Sequence, residues 1–215
     1  MVAIRNRSRG DLEDFRKIKQ FSTARGRSIL VPPQTLFQGG RRVAADAASA
    51  DPIEQVMERL PQGARRLAAQ VRTNLPLEVL WSVLTDYRNL SSFIPNLSSS
   101  ELVDRDGPTV RLKQVGTQQL LGLRFSAQVQ LQLTEYRPEG LLRFHMLQGD
   151  FRRFEGSWQM HELPEGSSLI YELTVQGCLG MPIALIEERL RHDLSSNLNA
   201  VVTEARKRQQ SSEAG

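Results

Sequence analysis

A single cysteine, Cys178, occurs in the 215 residues. One thiol excludes an internal disulfide and a multi-cysteine metal site, and it suits a reducing compartment. Beside Gly177, at the end of a strand pattern, Cys178 reads as a small packing residue, because a reactive thiol needs an electropositive setting. Histidine is nearly as scarce. His145, His161 and His192 fall on different predicted elements without His-Glu-x-x-His spacing, so no metal site is expected. Strand alternation turns His145 and His161 outward, and His192 reads as a surface residue. No apolar run approaches the roughly 18–20 residues of a spanning helix. The Arg-rich start is not followed by the apolar core of a secretory signal. Nucleophile elbow, P-loop and dinucleotide fingerprint are all missing. No catalytic residue and no cofactor is therefore assigned. The expected location is cytoplasmic, with peripheral membrane contact as an option.

Charge is present but unevenly spread. The formal net charge is +4. Residues 1–30 hold eight basic side chains (Arg5, Arg7, Arg9, Arg16, Lys17, Lys19, Arg25, Arg27) and three acidic ones (Asp11, Glu13, Asp14). The remainder is close to neutral, which argues against a nucleic-acid-binding domain. Residues 1–50 lack a sustained apolar period and read as a flexible basic extension. That extension is a targeting or membrane-seeking segment, a solvated tail, or the product of a start site chosen too early.

Order is expected from Pro52. Ile53, Val56, Met57 and Leu60 have helical spacing, so residues 51–62 read as a short helix and linker broken by Pro61-Gln62-Gly63. A strand follows over Ala64–Thr73. Leu75-Pro76 opens a helix with Leu77, Leu80, Trp81 and Leu84 on its apolar stripe, and a second short helix runs from Leu90 to Ile94 before Pro95. Six strands follow: Glu101–Asp104, Thr109–Gln118, Phe125–Thr134, then runs around Phe144, Trp158 and Tyr171. The third of these alternates strictly, Phe125, Ala127, Val129, Leu131 and Leu133 against Ser126, Gln128, Gln130, Gln132 and Thr134, the mark of a sheet with one apolar and one wet face. Loops this short require antiparallel hairpins. From about Pro182 to Lys207, Ile183, Ile186, Leu190, Leu194, Asn197, Val201 and Ala205 recur at gaps of three and four, one face of a long helix. Residues 209–215 read as a fraying tail.

The order strand, two helices, six strands, long helix predicts an α+β helix-grip fold over residues 63–208: a curved antiparallel sheet of about seven strands wrapped on a long C-terminal helix. Its inward residues would be Phe125, Val129, Leu131, Phe144, Met146, Phe154, Trp158, Tyr171 and Leu173, faced by Trp81, Leu190, Leu194 and Asn197. Pattern does not distinguish a filled interior from a hollow one. Trp81, Trp158 and Tyr171 are core residues or a ligand platform, and Asn197 bonds either a ligand or the sheet edge. Arg153 and Glu155 face solvent on an ideal strand, unless a bulge near Gly149–Phe151 reverses them. The apolar hairpin tip Leu120-Leu121-Gly122-Leu123 is a portal lip, a membrane-touching patch, or a cover for Leu75–Trp81.

The stretch Val79-Leu80-Trp81-Ser82-Val83-Leu84-Thr85-Asp86-Tyr87, with Phe93-Ile94-Pro95-Asn96-Leu97, resembles the opening helices of the SRPBCC, or START-like, superfamily. Within it the chain is most similar to the polyketide cyclase/dehydrase and coenzyme Q-binding group. The run Gly149-Asp150-Phe151-Arg152-Arg153-Phe154-Glu155-Gly156-Ser157-Trp158 is similar to the central strand of cyanobacterial and plastid members. Arg189-Leu190-Arg191-His192-Asp193-Leu194 with Asn197-Leu198 fits their grip helix. The resemblance implies a cavity for a hydrophobic small molecule such as a lipid, an isoprenoid quinone or a polyketide, and it supplies no catalytic motif. The leading expectation is a non-enzymatic binder or carrier. The alternatives are a polyketide cyclase/aromatase-like enzyme and a START-like, ribosome-associated protein-interaction module.

Overall fold

The computed structural model describes residues 52–120, 123–178 and 187–213, with the side chains of 118–120 and 123–125 left out. The basic extension 1–50, Leu121, Gly122, Ile183, Ile186 and the last two residues lie outside this range.

Eight strands form one antiparallel sheet: β1 Ile53–Arg59, β2 Arg65–Thr73, β3 Leu97–Asp106, β4 Thr109–Leu120, β5 Leu123–Tyr136, β6 Leu141–Gly149, β7 Phe151–Leu163 and β8 Gly166–Gly177. Their order is β1-β2-β8-β7-β6-β5-β4-β3. Two short helices, α1 Leu77–Leu84 and α2 Leu90–Phe93, separate β2 from β3, and α3 Glu187–Glu213 crosses the sheet. This is the helix-grip architecture expected from the pattern.

One expectation fails. The segment 51–62 is not a short helix: Ile53–Arg59 is a strand, paired with β2 from Ile53↔Val71 to Arg59↔Arg65, and the sheet has eight strands rather than seven. The spacing of Ile53, Val56 and Met57 fits a helix by periodicity, but seven residues are too few for a stable isolated helix. The open edge of β2 offers backbone partners along the whole segment, and that pairing overrides the period. Only Pro61–Gly63 is helical, as a single 3-10 turn.

Strand pairing decides which side chains share a face. The registers Met57↔Leu67, Leu67↔Leu173, Trp158↔Tyr171, Phe144↔Gly156, Leu133↔Phe144 and Leu112↔Leu131 run an apolar stripe across seven strands. Against that face pack Leu194, Leu198, Val201, Val202 and Ala205 of α3 and Leu80, Trp81, Val83 and Leu84 of α1, all in one core. A smaller buried group, Ala68, Gln70, Ser168 and Ile170, lies on the opposite face, where Gln70 Nε2 donates to Ser168 Oγ at 2.7 Å.

Candidate functional site

The interior under α3 has two unlike ends. At one, α1 and the C-terminal half of α3 press onto the sheet. Here Val83, Val110, Leu112, Leu169, Leu198, Val201 and Ala205 are fully buried, and Leu142 and Met160 nearly so. Arg208 fastens this end, pairing with Asp86 at 2.9 Å and lying over the Phe93 ring at 5.8 Å. Tyr87 donates its hydroxyl to Glu135 at 2.6 Å, and burial with that bond pushes its pKa far above the phenol range.

At the other end the inner face is apolar but incompletely covered. Met146, Phe151, Phe154, Trp158 and Leu190 pack on the core yet remain partly exposed. Two bulges shape this end. One, opposite Gln130 and Leu131, keeps Met146 inward and throws Leu147 outward, 46% exposed. The other lies between Phe151 and Arg153. An extra residue in one strand shifts the alternation, so Phe151 and Phe154 bring their rings to 5.3 Å on the inner side, while Arg153 and Glu155 form an exposed pair. The rings continue through Phe154–Phe144 at 5.9 Å and Phe144–Tyr171 at 6.3 Å to Tyr171 stacked on Trp158, 3.9 Å apart and within 1° of parallel. Gly156 makes the cluster possible. A Cβ there would lie 2.7 Å from Phe144 Cζ and 2.0 Å from the Glu172 carbonyl oxygen. The rim is held by Asp150, whose Oδ2 accepts from Gln128 N at 2.7 Å.

Polar groups on α3 border this open end. Glu187 accepts from Arg59 at 2.9 Å and from Arg65 at 2.6 Å, which ties the start of the helix to β1 and β2. One turn apart, Arg189 Nε lies 3.2 Å from Asp193 Oδ1. Asp193 also accepts from Asn96 Nδ2 at 3.2 Å. Asn96 reaches it from the turn before β3 with φ of 60°, a left-handed conformation that asparagine tolerates well. Tyr171 is buried, and burial first, then the negative charge of Asp193, pushes its hydroxyl pKa well above the phenol range. It is held as a neutral O–H. One helical turn beyond Asp193, Asn197 has its Oδ1 shut off from solvent with no hydrogen-bond partner. On the β4 wall, Gln114 Nε2 donates to Ser100 Oγ at 3.2 Å, and Ser100 Oγ donates to the Tyr87 carbonyl at 2.8 Å.

Val129, Leu131, Phe144, Met146, Phe154, Trp158, Tyr171 and Leu173 share the inner face, as alternation predicts, and Leu194 is buried beneath the helix. Leu190 is there but half open. Trp81, 5% exposed, belongs to the closed end and is not among the ring contacts of the cluster. Phe125 and Leu123 have described backbone in β5, and Leu120 pairs with Leu123 across the hairpin, but their side chains and the rest of the tip lie outside the described residues. Asn197 does not bond the sheet edge. Cys178 is exposed rather than packed. His161 is half-buried rather than exposed, and burial lowers its pKa. His145 and His192 are exposed, with His192 Nε2 3.3 Å from Ser196 Oγ. Sequence reasoning passed over Phe151, Asp193, Arg189, Asn96 and Gln114. The bulge hid the first. The i, i+4 spacing of Asp193 and Asn197 would have signalled a polar stripe beside the apolar one.

Among the described residues no group of three His, Cys, Asp or Glu side chains is arranged to hold a metal, and no helix is long and apolar enough to cross a membrane. A separate, solvent-open cleft of about 620 Å³ lies at the closed end, lined by Arg72, Thr73, Asn74, Glu165 and Arg206 among others. Its lining mixes charges of both signs and includes none of the ring cluster.

Known proteins bear on this geometry. No curated protein matches the sequence. Solved structures do match. The STAR-related lipid transfer protein from Xanthomonas axonopodis is 15% identical, with a TM-score of 0.64, covering 74% of this chain and 97% of its own. The Zhui aromatase/cyclase from Streptomyces sp. R1128 is 14% identical, with a TM-score of 0.60, covering 67% and 95%. A START superfamily protein from Mycobacterium smegmatis is 18% identical, with a TM-score of 0.55, covering 66% and 97%. At these identities the likeness is one of fold. The sequence itself matches the family described as "Polyketide cyclase / dehydrase and lipid transport" over residues 73–202. With more than half the chain matched and the helix grip in place, this protein belongs to the polyketide cyclase/dehydrase and lipid transport family.

Proposed function

We propose that the protein binds and carries a hydrophobic small molecule in the open end of the grip, between the ring cluster and α3. The observation that carries this reading is the contrast within one apolar face. Leu112, Leu169 and Leu198 are closed off completely, whereas Met146, Phe151, Phe154, Trp158 and Leu190 stay partly open. Apolar surface left open on a concave face is what a lipophilic ligand would cover, at about 25 cal/mol per Å² buried. Phe125 and Leu173 would extend the lining. Leu120, Leu121 and Leu123, apolar where turns are usually polar, would form the portal and touch a membrane when ligand is exchanged. The resemblance to coenzyme Q-binding, cyanobacterial-type members makes isoprenoid quinones the first ligands to screen.

The test is native mass spectrometry of the full 215-residue chain, with solvent extraction of what co-purifies. The reading expects one lipophilic molecule per chain. A protein that emerges empty and binds none of a panel of quinones, isoprenoids and fatty derivatives removes it, and a protein partner becomes the object of search.

One observation favours a second reading, a cyclase-like enzyme. Asp193 and Tyr171 put a carboxylate and a phenol within electrostatic reach at the open end, and such pairs serve acid–base chemistry. Conversion of an added poly-β-carbonyl substrate, abolished by Asp193→Asn, would support it.

A further inference from the structure

We infer that Arg59 and Arg65 form a binding site for a carboxylate head group, held by Glu187 until an acidic amphiphile displaces it. The molecule carried is thus an apolar body with an acid at one end, and its arrival frees the start of α3. This rests on the carrier reading above and goes beyond it by naming the head group and the contact that it breaks.

The geometry is that of a carboxylate site with a carboxylate in place. Arg65 Nε and Nη2 both lie 2.6 Å from Glu187 Oε1, and Arg59 Nη2 donates to Oε2 at 2.9 Å. Among the described ion pairs, the two cations share this one carboxylate. They differ in how they are held. Arg65 is buried, and its Nη1 donates to the carbonyls of Gly63 at 3.0 Å and Ala64 at 3.1 Å. Those bonds fix the guanidinium without help from α3. Its Nε–Nη2 edge, the fork that planar oxyanions bond, is therefore preorganised. Arg59, 72% exposed, closes over the site from the solvent side. Stripping a buried guanidinium of its carboxylate is strongly destabilising, so Glu187 leaves only when another anion replaces it.

Strand register sets the site beside the proposed cargo. Arg59↔Arg65, Arg65↔Val175 and Phe154↔Val175 are successive cross-strand partners, one row that leads from the arginines to the ring cluster. Two strand spacings, about 10 Å, separate Arg65 from Phe154. Val175, between them, is fully buried, so an acid seated on the arginines has an apolar floor leading to the rings once the helix start is released. Apolar packing holds that start weakly, since Leu190 is half open. Asp193 does not compete for the arginines, because Arg189 and Asn96 engage it. A neutral head group brings no charge to Arg65 and leaves Glu187 where it is.

The experiment titrates dodecanoate and 1-dodecanol calorimetrically, at neutral pH, into the full chain and its Glu187→Gln and Arg59→Gln variants. Hydrogen exchange is followed over Arg189–Asn197. In the unaltered protein dodecanoate should bind more tightly than dodecanol and quicken exchange there, and dodecanol should leave exchange unchanged. Glu187→Gln removes the internal competitor and should tighten dodecanoate about tenfold, the scale of one charge-assisted hydrogen bond, while leaving dodecanol unchanged. Arg59→Gln, at an exposed position that does not endanger the fold, should weaken dodecanoate alone. Inorganic phosphate, an anion without an apolar body, should not quicken exchange at the same concentration. If it does, the arginines serve a free anion and the acidic cargo falls. If Glu187→Gln weakens dodecanoate, or changes both probes alike, Glu187 is a helix anchor only, and the site falls while the carrier reading stands. Binding of neither probe by any of the three proteins overturns both.

Discussion

The two ends of the grip use the same residue types to different purposes. Leu112 and Leu131 are paired neighbours on the inner face, and both are shut from solvent, yet a few residues along the same strands the cover thins. What differs is the layer above. At the closed end, Leu80 and Val83 of α1 and Leu198, Val201 and Val202 of α3 interlock with the sheet. At the open end the described cover is the first turns of α3, and they carry Arg189, Asp193 and Asn197 beside Leu190, which is half open, and Leu194, which is buried. Packing is thus unevenly divided along one helix: the C-terminal half closes on the sheet, and the N-terminal half leaves apolar surface open, where the proposed ligand would sit.

Truncation tests this division most directly. Leu198→Ala removes a fully buried side chain at the closed end and should cost about 2–5 kcal/mol in urea unfolding, the usual range for a buried leucine. Phe154→Ala, at the open end, should cost about 1 kcal/mol despite deleting a larger group, because the ring is already partly open to solvent. Its effect should appear in ligand affinity instead. Equal losses of stability at both positions would break the comparison.

Adding volume inverts the test. Val110→Phe overfills a site with no exposed surface and should destabilise by about 1–3 kcal/mol. Met146→Trp fills the open end and should change stability by less than about 1 kcal/mol while excluding ligand. The two tryptophans report the same contrast without denaturant. Trp158, stacked on Tyr171, should change its emission when ligand binds, and Trp81 should not. The ligand-induced change should therefore survive Trp81→Phe and vanish in Trp158→Phe.

The sequence made the closed end far more legible than the open one. Strict alternation in Val129, Leu131 and Leu133, and the three-four spacing of Leu194, Val201 and Ala205, fix faces wherever elements are regular, and there expectation and structure agree. Leu198 and Val202 widen that helix face beyond the single row of residues that the spacing picks out. The open end is built from departures from regularity. The bulge at Phe151–Arg153 adds Phe151 to the inner side, which no period-2 reading can do. Asn96 reaches Asp193 from a left-handed turn 97 residues away in the chain. Nor could the edge strand Ile53–Arg59 be distinguished from a helix by its own residues, since its partner β2 decides the matter.

Acid offers the smallest expected effect and the finest division of the helix. The hydrogen bonds from Arg59 and then Arg65 hold the Glu187 carboxyl below its ordinary value of 4.5. A carboxyl with a lower pKa in the folded state adds stability that is complete above its unfolded value and disappears as pH falls through the folded one. The contribution should thus be present at pH 7, begin to fail near pH 4.5 and be gone well below it. Glu187→Gln should lower the urea midpoint slightly at pH 7 and converge on the parent protein in acid. Because Glu187 anchors only the start of α3, hydrogen exchange at pH 4 should quicken over Arg189–Asn197 before Val201–Arg208. The latter turns rest on buried apolar residues and on Arg208 with Asp86. Uniform quickening along the whole helix would mean that the two halves open as one unit, and the open end would then owe its exposure to the sheet rather than to the helix above it.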